Sequence, residues 1–211
     1  MAQVFRAISI GFLLTLIAPA MHAQPAAFIE GTHFKEVRKA EPSEGKITVT
    51  EVFWYGCPHC YAFDPSVEEW KEDLAEDVEF ERLPTALGRA SGRIHVKAYF
   101  TAQALGVAES VHKAMFAAIH EKGQRLTSEA EISKVFEAVG VPPEDFTKAF
   151  NSFSVEGSTR RAERRIADLG IHSVPTVVVD GRWEVGAAMA GSFPTMIRII
   201  DFLVAKARDA R

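Results

Sequence analysis

The chain has 211 residues, of which 47% are hydrophobic and 25% charged, with a formal net charge of −4. These values are typical of a globular protein of one or two domains, and they exclude a disordered or fibrous chain. A mildly acidic chain also lacks the basic surface that nucleic-acid binding requires, so we expect no nucleic-acid partner.

The first 23 residues have the pattern of a secretory signal peptide. Arg6 precedes an apolar run over residues 7–17, and the segment closes with the small residue Ala23. The run is too short for a bilayer core, which takes about 20 apolar residues, so a signal peptide is favoured over a membrane anchor. We expect cleavage after Ala23, with Ala20 as a rival site, and export of the mature chain.

The first part of the mature chain predicts a strand, a helix and a second strand. Residues 24–45 read as a mixed, extended lead-in, and residues 47–55 (ITVTEVFWY) as a strand rich in β-branched and aromatic side chains. Alternation along this strand puts one acid, Glu51, in an otherwise apolar row. A helix over residues 58–74 is predicted to follow at once, and a second strand over residues 78–83.

The rest of the chain predicts a block of helices and then a hairpin and a last helix. Ser128 and Glu131 have capping-box spacing, and Asp180-Gly181 is typical of a two-residue hairpin turn. Helices are predicted over residues 92–105 and 108–120, two more starting at residue 128 and at residues 142–143, and a fifth over residues 158–169. Strands are predicted over residues 176–179 and 182–185. A loop over residues 186–191 and a last helix capped by Ser192 follow.

This order of elements indicates one α/β domain that is interrupted by a helical insertion. We divide the chain into a signal peptide (1–23), a first α/β part (24–88), the helical insertion (89–169) and a second α/β part (170–211).

The chain has two cysteines, Cys57 and Cys60. A bond between them would close a very small loop and add little stability, which indicates a reactive pair. Cys57 lies at the predicted start of a helix, where the positive end of the helix dipole favours a thiolate. We therefore expect Cys57 to attack or be attacked, and the more buried Cys60 to resolve the intermediate.

His59 lies between the two cysteines, after Pro58. A protonated imidazole there would stabilise the Cys57 thiolate further, and a stabilised thiolate makes the disulfide more easily reduced and thus more oxidising. The alternative is an exposed residue in the first helical turn without effect on the cysteines.

Other uses of the pair stay open but are weaker. A zinc site normally needs four ligands, and no second pair with ligand spacing is visible. A c-type haem site needs histidine at residue 61, which is Tyr61. Cu(I) suits two thiolates, but no methionine or histidine cluster flanks them.

The motif Cys57-Pro58-His59-Cys60-Tyr61 follows an aromatic strand, and Val174-Pro175 precedes another strand beyond the helical block. In this combination the sequence resembles the DsbA family of periplasmic thiol:disulfide oxidoreductases over about residues 28–205. The resemblance implies an α/β, thioredoxin-like fold with an inserted helical domain. This family is a standard example of a strongly lowered thiol pKa and an oxidising disulfide.

The resemblance also implies roles for single residues. Pro175 would be a cis-proline that faces the disulfide, and Val174 would offer backbone hydrogen bonds to an extended client. Glu51 would be the buried acid beneath the cysteines, with a pKa raised by burial, exchanging a proton with Cys60 through water. Arg82 would be its basic partner. The alternative for Glu51 is an acid at the strand edge that reaches solvent.

The function that the resemblance implies is the introduction of disulfides into reduced exported proteins in the periplasm. A DsbB-like membrane protein would reoxidise the enzyme, which would act as a monomer and need no metal or organic cofactor. A reductase of the same fold is the alternative enzyme, and a Cu(I) carrier the alternative of another class. An isomerase is disfavoured because the lead-in is too short for an added domain.

The remaining polar residues and aromatic rings are given ordinary structural roles. The arginine run over residues 160–165 is interpreted as a solvated helix face. Five histidines are interpreted as surface or packing residues: His33, His95, His112, His120 and His172.

Overall fold

The computed structural model describes residues 28–89 and 91–211, so the predicted signal peptide lies outside the described residues. A five-stranded sheet has the order β1-β5-β4-β2-β3, in which β2 and β3 are parallel and the other pairs antiparallel. The strands are β1 (Lys35–Glu36), β2 (Ile47–Phe53), β3 (Val78–Pro84), β4 (Thr176–Val179) and β5 (Trp183–Gly186).

Helices cover both faces of this sheet, and five of them lie in sequence between β3 and β4. They are α1 (Pro58–Glu72), α2 (Gly92–Ala104), α3 (Ala108–His120), α4 (Glu129–Ala138), α5 (Pro143–Phe150), α6 (Phe153–Leu169), α7 (Ala187–Ala190) and α8 (Phe193–Asp209). In the described part of the chain, no helix combines the length and apolar character needed to cross a membrane.

One face of the sheet packs against α1 and α8. The apolar side chains on this face include Val49 of β2 and Val177 of β4, which are buried with Phe63 of α1 and Leu203 of α8. The opposite face carries Val52 and Val178 and packs against the inner side of α6. Successive side chains of β2 therefore point alternately to two faces of the sheet that are both buried, as expected for a central strand.

A third core lies inside the helical block and continues to the start of α1. It is built mainly from α2–α5, with buried rings such as Phe116, Phe136 and Phe146, and it also includes Cys57 and Cys60. The helical block thus contacts the end of β2 and the first turn of α1, which is where the candidate site lies.

Local sequence signals predicted most of these elements. Ser128 caps α4 in a complete capping box with Glu131, and Asp180 and Gly181 both have positive φ, as a tight hairpin turn requires. The helix predicted to start at Ser158 starts at Phe153 instead, because the Ser152 hydroxyl accepts a hydrogen bond from the Val155 N–H at 3.2 Å.

One prediction about an irregular segment is wrong, and the structure adds detail in another. The predicted loop over residues 186–191 contains the one-turn helix α7, since a run of small helix-forming residues is closed by Gly191, whose N–H donates to Ala187 O at 3.0 Å. Within the lead-in, which was predicted as mixed and extended, Lys35 and Glu36 form the short strand β1, which pairs with β5 at the edge of the sheet.

Candidate active site

A tight turn delivers the first cysteine from β2 to α1. The Cys57 N–H donates to Trp54 O at 2.9 Å, and Cys57 then has the extended backbone (φ −93°, ψ 115°) of an N-cap residue. Gly56 is required inside this turn because a Cβ there would lie 2.3 Å from the Trp54 ring. Pro58 follows in the first helical turn, where its missing N–H costs nothing.

The two cysteines lie in different environments although they are one helical turn apart. Both are free thiols; Cys57 is 8% exposed and Cys60 fully buried. A hydrogen bond from the Cys60 thiol, joined by backbone N–H groups of Cys60 and His59 and the charge of His59, lowers the pKa of Cys57 to about 6 against the effect of burial. Burial raises the pKa of Cys60 far above its ordinary value. At neutral pH the thiolate is therefore Cys57.

The loop before β4 faces the first cysteine. The Val174–Pro175 peptide bond is cis, and Cys57 Sγ lies 3.6 Å from Val174 O, to which a protonated thiol donates. His59 is exposed beside this loop. A groove of about 680 Å³ runs along this side of the molecule and is lined mainly by apolar groups, among them Pro175, Ala188, Phe193 and Pro194, with the polar side chains of His59 and Ser173 beside them.

The acid of β2 is buried and paired. Glu51 is 1% exposed, and Arg82 Nε donates to its Oε2 at 3.1 Å, because the parallel register places the two residues opposite each other. Burial outweighs the attraction of Arg82 and raises the pKa of Glu51 to about 7. The alternative of an acid that reaches solvent at the strand edge is wrong.

Arg82 binds further carboxylates that sequence reasoning missed. Its Nη2 donates to Asp64 Oδ1 at 3.1 Å and to Glu68 Oε1, both on α1, and its Nη1 lies 3.5 Å from Glu109 on α3. Asp64 and Glu68 are four residues apart, a spacing that puts both on one helix face and was a usable signal. The Arg82 guanidinium thus joins β2, β3, α1 and α3.

Three histidines of the helical block contact the segment that leads into the motif. His112 Nε2 donates to Asp64 Oδ1 at 3.0 Å, so its Nδ1 accepts from the Tyr55 hydroxyl at 3.2 Å. Burial lowers the pKa of His112, which keeps the ring neutral. The Trp54 indole N–H donates to His95 Nδ1 at 3.1 Å, and His120 contacts the Tyr55 backbone. The sequence predicted surface or packing roles for these histidines and did not identify their hydrogen-bond partners.

The described residues contain no group of three or more histidine, cysteine, aspartate or glutamate side chains arranged to hold a metal ion.

Comparison with known proteins gives the family. Residues 69–195 match the model of the DSBA-like thioredoxin domain. The chain is 38% identical over 202 residues to the thiol:disulfide interchange protein DsbA of Burkholderia cepacia, with 94% of each chain covered. The chain belongs to the DsbA family. It is therefore a protein-disulfide oxidoreductase with a thioredoxin fold and an inserted helical domain, as the sequence predicted.

Solved DsbA structures agree with this fold. The crystal structure of Pseudomonas aeruginosa DsbA superposes with a TM-score of 0.82 at 35% identity, covering 87% of this chain and 96% of that one. A DsbA variant of Proteus mirabilis, solved with the non-covalently bound peptide PWATCDS, superposes with a TM-score of 0.72 at 25% identity, covering 85% of this chain and 100% of that one. The family-model match starts at residue 69 and so does not contain the cysteine motif. The alignment to the Burkholderia relative covers 94% of this chain and is long enough to include it.

Proposed function

We propose that this DsbA-family protein oxidises pairs of thiols in reduced exported proteins by passing on a Cys57–Cys60 disulfide. One observation carries the proposal: the pKa of Cys57 is lowered to about 6 at the start of α1, while Cys60 is fully buried beside it. A sulfur that is stable as a thiolate is a good leaving group, so a disulfide that contains it is readily reduced by a client.

The exchange takes two displacement steps. A client thiolate attacks Cys57 Sγ, the Cys57–Cys60 bond breaks, and Cys60 leaves with the electron pair. A second client thiolate then attacks the client sulfur of the mixed disulfide, and Cys57 leaves as a thiolate. The client is oxidised to a disulfide and the enzyme is reduced to a dithiol. Cys57 is the more accessible of the two cysteines, at 8% exposure against 0% for Cys60, which makes it the one that is attacked.

Cys60 needs a proton in the first step, because burial makes its thiolate unfavourable. Glu51 has a pKa raised to about 7, so much of it is protonated at neutral pH and it serves as the proton donor, through a water molecule. Arg82 holds the carboxyl in place at 3.1 Å and stabilises the carboxylate that forms.

The client binds at the groove beside Pro175 and His59. The groove is mainly apolar, which suits the exposed side chains of an unfolded chain, and Val174 O next to Cys57 Sγ is an acceptor for a client N–H. The peptide bound to the Proteus mirabilis relative supports a peptide client for this chain as well.

The setting of the reaction follows from the same proposal. Residues 1–23 act as a signal peptide that is cleaved after Ala23, and the enzyme works in the periplasm as a monomer. A DsbB-like membrane protein restores the Cys57–Cys60 disulfide. The helical insertion takes residues 89–169, between the two α/β parts at residues 24–88 and 170–211; the order of the elements supports this division.

A client-oxidation assay tests the proposal. The oxidised protein is mixed with a reduced, unfolded secreted protein, and disulfides in that client are counted. We expect stoichiometric client oxidation by the natural chain and none by Cys57→Ser. The control variant His33→Gln, which is remote from the motif, should oxidise the client as well as the natural chain does. Full activity of Cys57→Ser would refute the proposal.

Equilibration with glutathione buffers separates the alternatives. A strongly oxidising Cys57–Cys60 couple is expected. A strongly reducing couple would indicate the reductase, and tight stoichiometric copper binding without client oxidation would indicate the Cu(I) carrier.

A further inference from the structure

We propose that His120 is a positioning residue for disulfide exchange, because it fixes the peptide bond between Tyr55 and Gly56 that leads into Cys57. His120 is the last residue of α3. Its Nε2–H donates to Tyr55 O at 2.7 Å. The inference deepens the proposed function, since it concerns how the attacked sulfur of that reaction is held.

His120 contacts both sides of the cysteine motif. Besides its hydrogen bond to the residue two positions before Cys57, its ring stacks on Tyr61, directly after Cys60, with a centroid distance of 4.8 Å and an interplanar angle of 11°. The next residue, Glu121, accepts a hydrogen bond from the Tyr61 hydroxyl at 2.8 Å. The C-terminal end of α3 therefore binds the motif from both flanks.

The peptide that His120 holds is one that could otherwise rotate. Residues 54–57 form a four-residue turn closed by the Cys57 N–H to Trp54 O. In such turns, type I and type II differ by a flip of the central peptide, and type II needs positive φ at the third residue, which glycine allows. The third residue here is Gly56, yet its φ lies outside the left-handed region. The sequence permits both turn types. The structure adopts the turn in which the Tyr55 carbonyl oxygen accepts the hydrogen bond from His120.

The other histidine contacts of this segment do not hold that peptide. His95 binds the Trp54 indole and His112 binds the Tyr55 hydroxyl, so both act on side chains. His120 acts on the backbone carbonyl itself. A flip of this peptide would reverse a backbone dipole directly before Cys57 and alter the turn that places its thiol near the N–H groups of His59 and Cys60, which contribute to lowering the pKa of that thiol.

The experiment compares two substitutions that each keep half of the histidine's contacts. His120→Phe keeps a ring to stack on Tyr61 and removes the N–H donor. His120→Gln keeps an N–H donor near the Nε2 position and loses the ring. His120→Met is a second variant without a donor, for use if the phenylalanine variant folds poorly. His33→Gln, remote from the motif, is the matched control.

The readouts are the thiolate titration of Cys57 by ultraviolet absorbance and the rate of client oxidation. We expect His120→Phe and His120→Met to move the titration midpoint above about 6 and to slow client oxidation several-fold, while His120→Gln stays close to the natural chain. A His120→Phe titration equal to that of the natural chain would overturn the inference. So would equal losses in the glutamine and phenylalanine variants, because packing and not the N–H would then be responsible.

The two proposals fail separately in this experiment. The titration compares thiolate stability and does not depend on the direction of exchange. If the natural chain fails to oxidise a client, the proposed function fails, while the titration of the three variants still decides the role of His120.

Discussion

At the scale of single residues, the chemistry depends on how two cysteines of one motif acquire opposite properties. Cys57 is the N-cap residue of α1, and its thiolate is stabilised by the Cys60 thiol and by backbone N–H groups of Cys60 and His59. Cys60 lies one turn inside the helix with no exposure to solvent. The same helix start therefore stabilises one thiolate and disfavours the other. In the proposed exchange, this asymmetry decides which sulfur a client attacks.

Substitutions of Cys60 test the main cause of this asymmetry. Because the Cys60 thiol is the largest contributor to the lowered pKa of Cys57, Cys60→Ala should raise that pKa from about 6 toward the ordinary value of 9.0. Cys60→Ser keeps an O–H donor and should preserve much of the lowering. The measurement is the ultraviolet thiolate titration of reductant-treated protein. Equal midpoints for Cys60→Ala and the natural chain would contradict this account.

At the scale of elements, the parallel register of β2 and β3 creates the buried charge pair. It places Glu51 opposite Arg82 on the face that α1 covers, and α1 supplies Asp64 and Glu68 to the same guanidinium. Burying such a pair is costly unless each charge has several partners, which Arg82 has. The strands thus set the position of Glu51, and α1 completes the environment of its partner Arg82.

The pH dependence of stability tests the burial of Glu51. Its pKa rises from 4.5 to about 7 on folding, so between these pH values the folded chain holds more protons than the unfolded chain. The free energy of unfolding contributed by this group therefore falls as pH rises through that window, by roughly 3 kcal/mol. Glu51→Gln does not titrate and should gain stability relative to the natural chain between pH 5 and pH 8.

Urea unfolding of the oxidised protein at several pH values measures this difference. The exposed strand acid Glu79 provides the control substitution, Glu79→Gln, measured at the same pH values. If the stability difference between Glu51→Gln and the natural chain did not change over this range, Glu51 would not be the buried acid with a raised pKa.

At the scale of the whole molecule, the helical block and the sheet domain share the site. The cysteines belong to the apolar core of the helical block, while the cis Val174–Pro175 loop and, apart from His59, the lining of the groove come from the segment after α6. The redox state of two sulfur atoms is therefore expected to change the stability of the whole protein.

The reduced protein should gain stability relative to the oxidised protein as pH rises from about 6 to about 9. In the reduced chain the pKa of Cys57 falls from 9.0 to about 6 on folding, so the unfolded chain holds more protons in this window and stability rises with pH. The contribution is lost as pH falls through about 6, and the oxidised chain lacks it.

Thermal unfolding midpoints of both redox forms between pH 5 and pH 8 check this expectation. A Cys57→Ser/Cys60→Ser variant, treated with oxidant or reductant, should show no difference at any pH. A difference between the two natural forms that does not change with pH would show that the Cys57 thiolate is not its source. Folding and disulfide reduction are linked in one thermodynamic cycle. If the reduced form is more stable than the oxidised form, the disulfide is therefore oxidising.

The sequence by itself determined the features that depend on residues close together in the chain. The strand before Cys57, Pro58 in the first turn of α1, the capping box of Ser128 and the Asp180-Gly181 turn are all confirmed. Each is set by local backbone preferences and hydrogen bonds over a few residues, which the sequence states directly. The alternating pattern of β2 likewise predicted the apolar row in which Glu51 lies.

Only the tertiary structure decided which distant side chains meet. His120 lies 65 positions from Tyr55 and His112 lies 48 positions from Asp64, yet both pairs are hydrogen-bonded. Helical periodicity predicts that one face of α3 is buried, but it does not predict which element covers that face. The packing of the helical block against the turn before Cys57 supplies this information, because it fixes the distance and direction between groups that the chain itself leaves free.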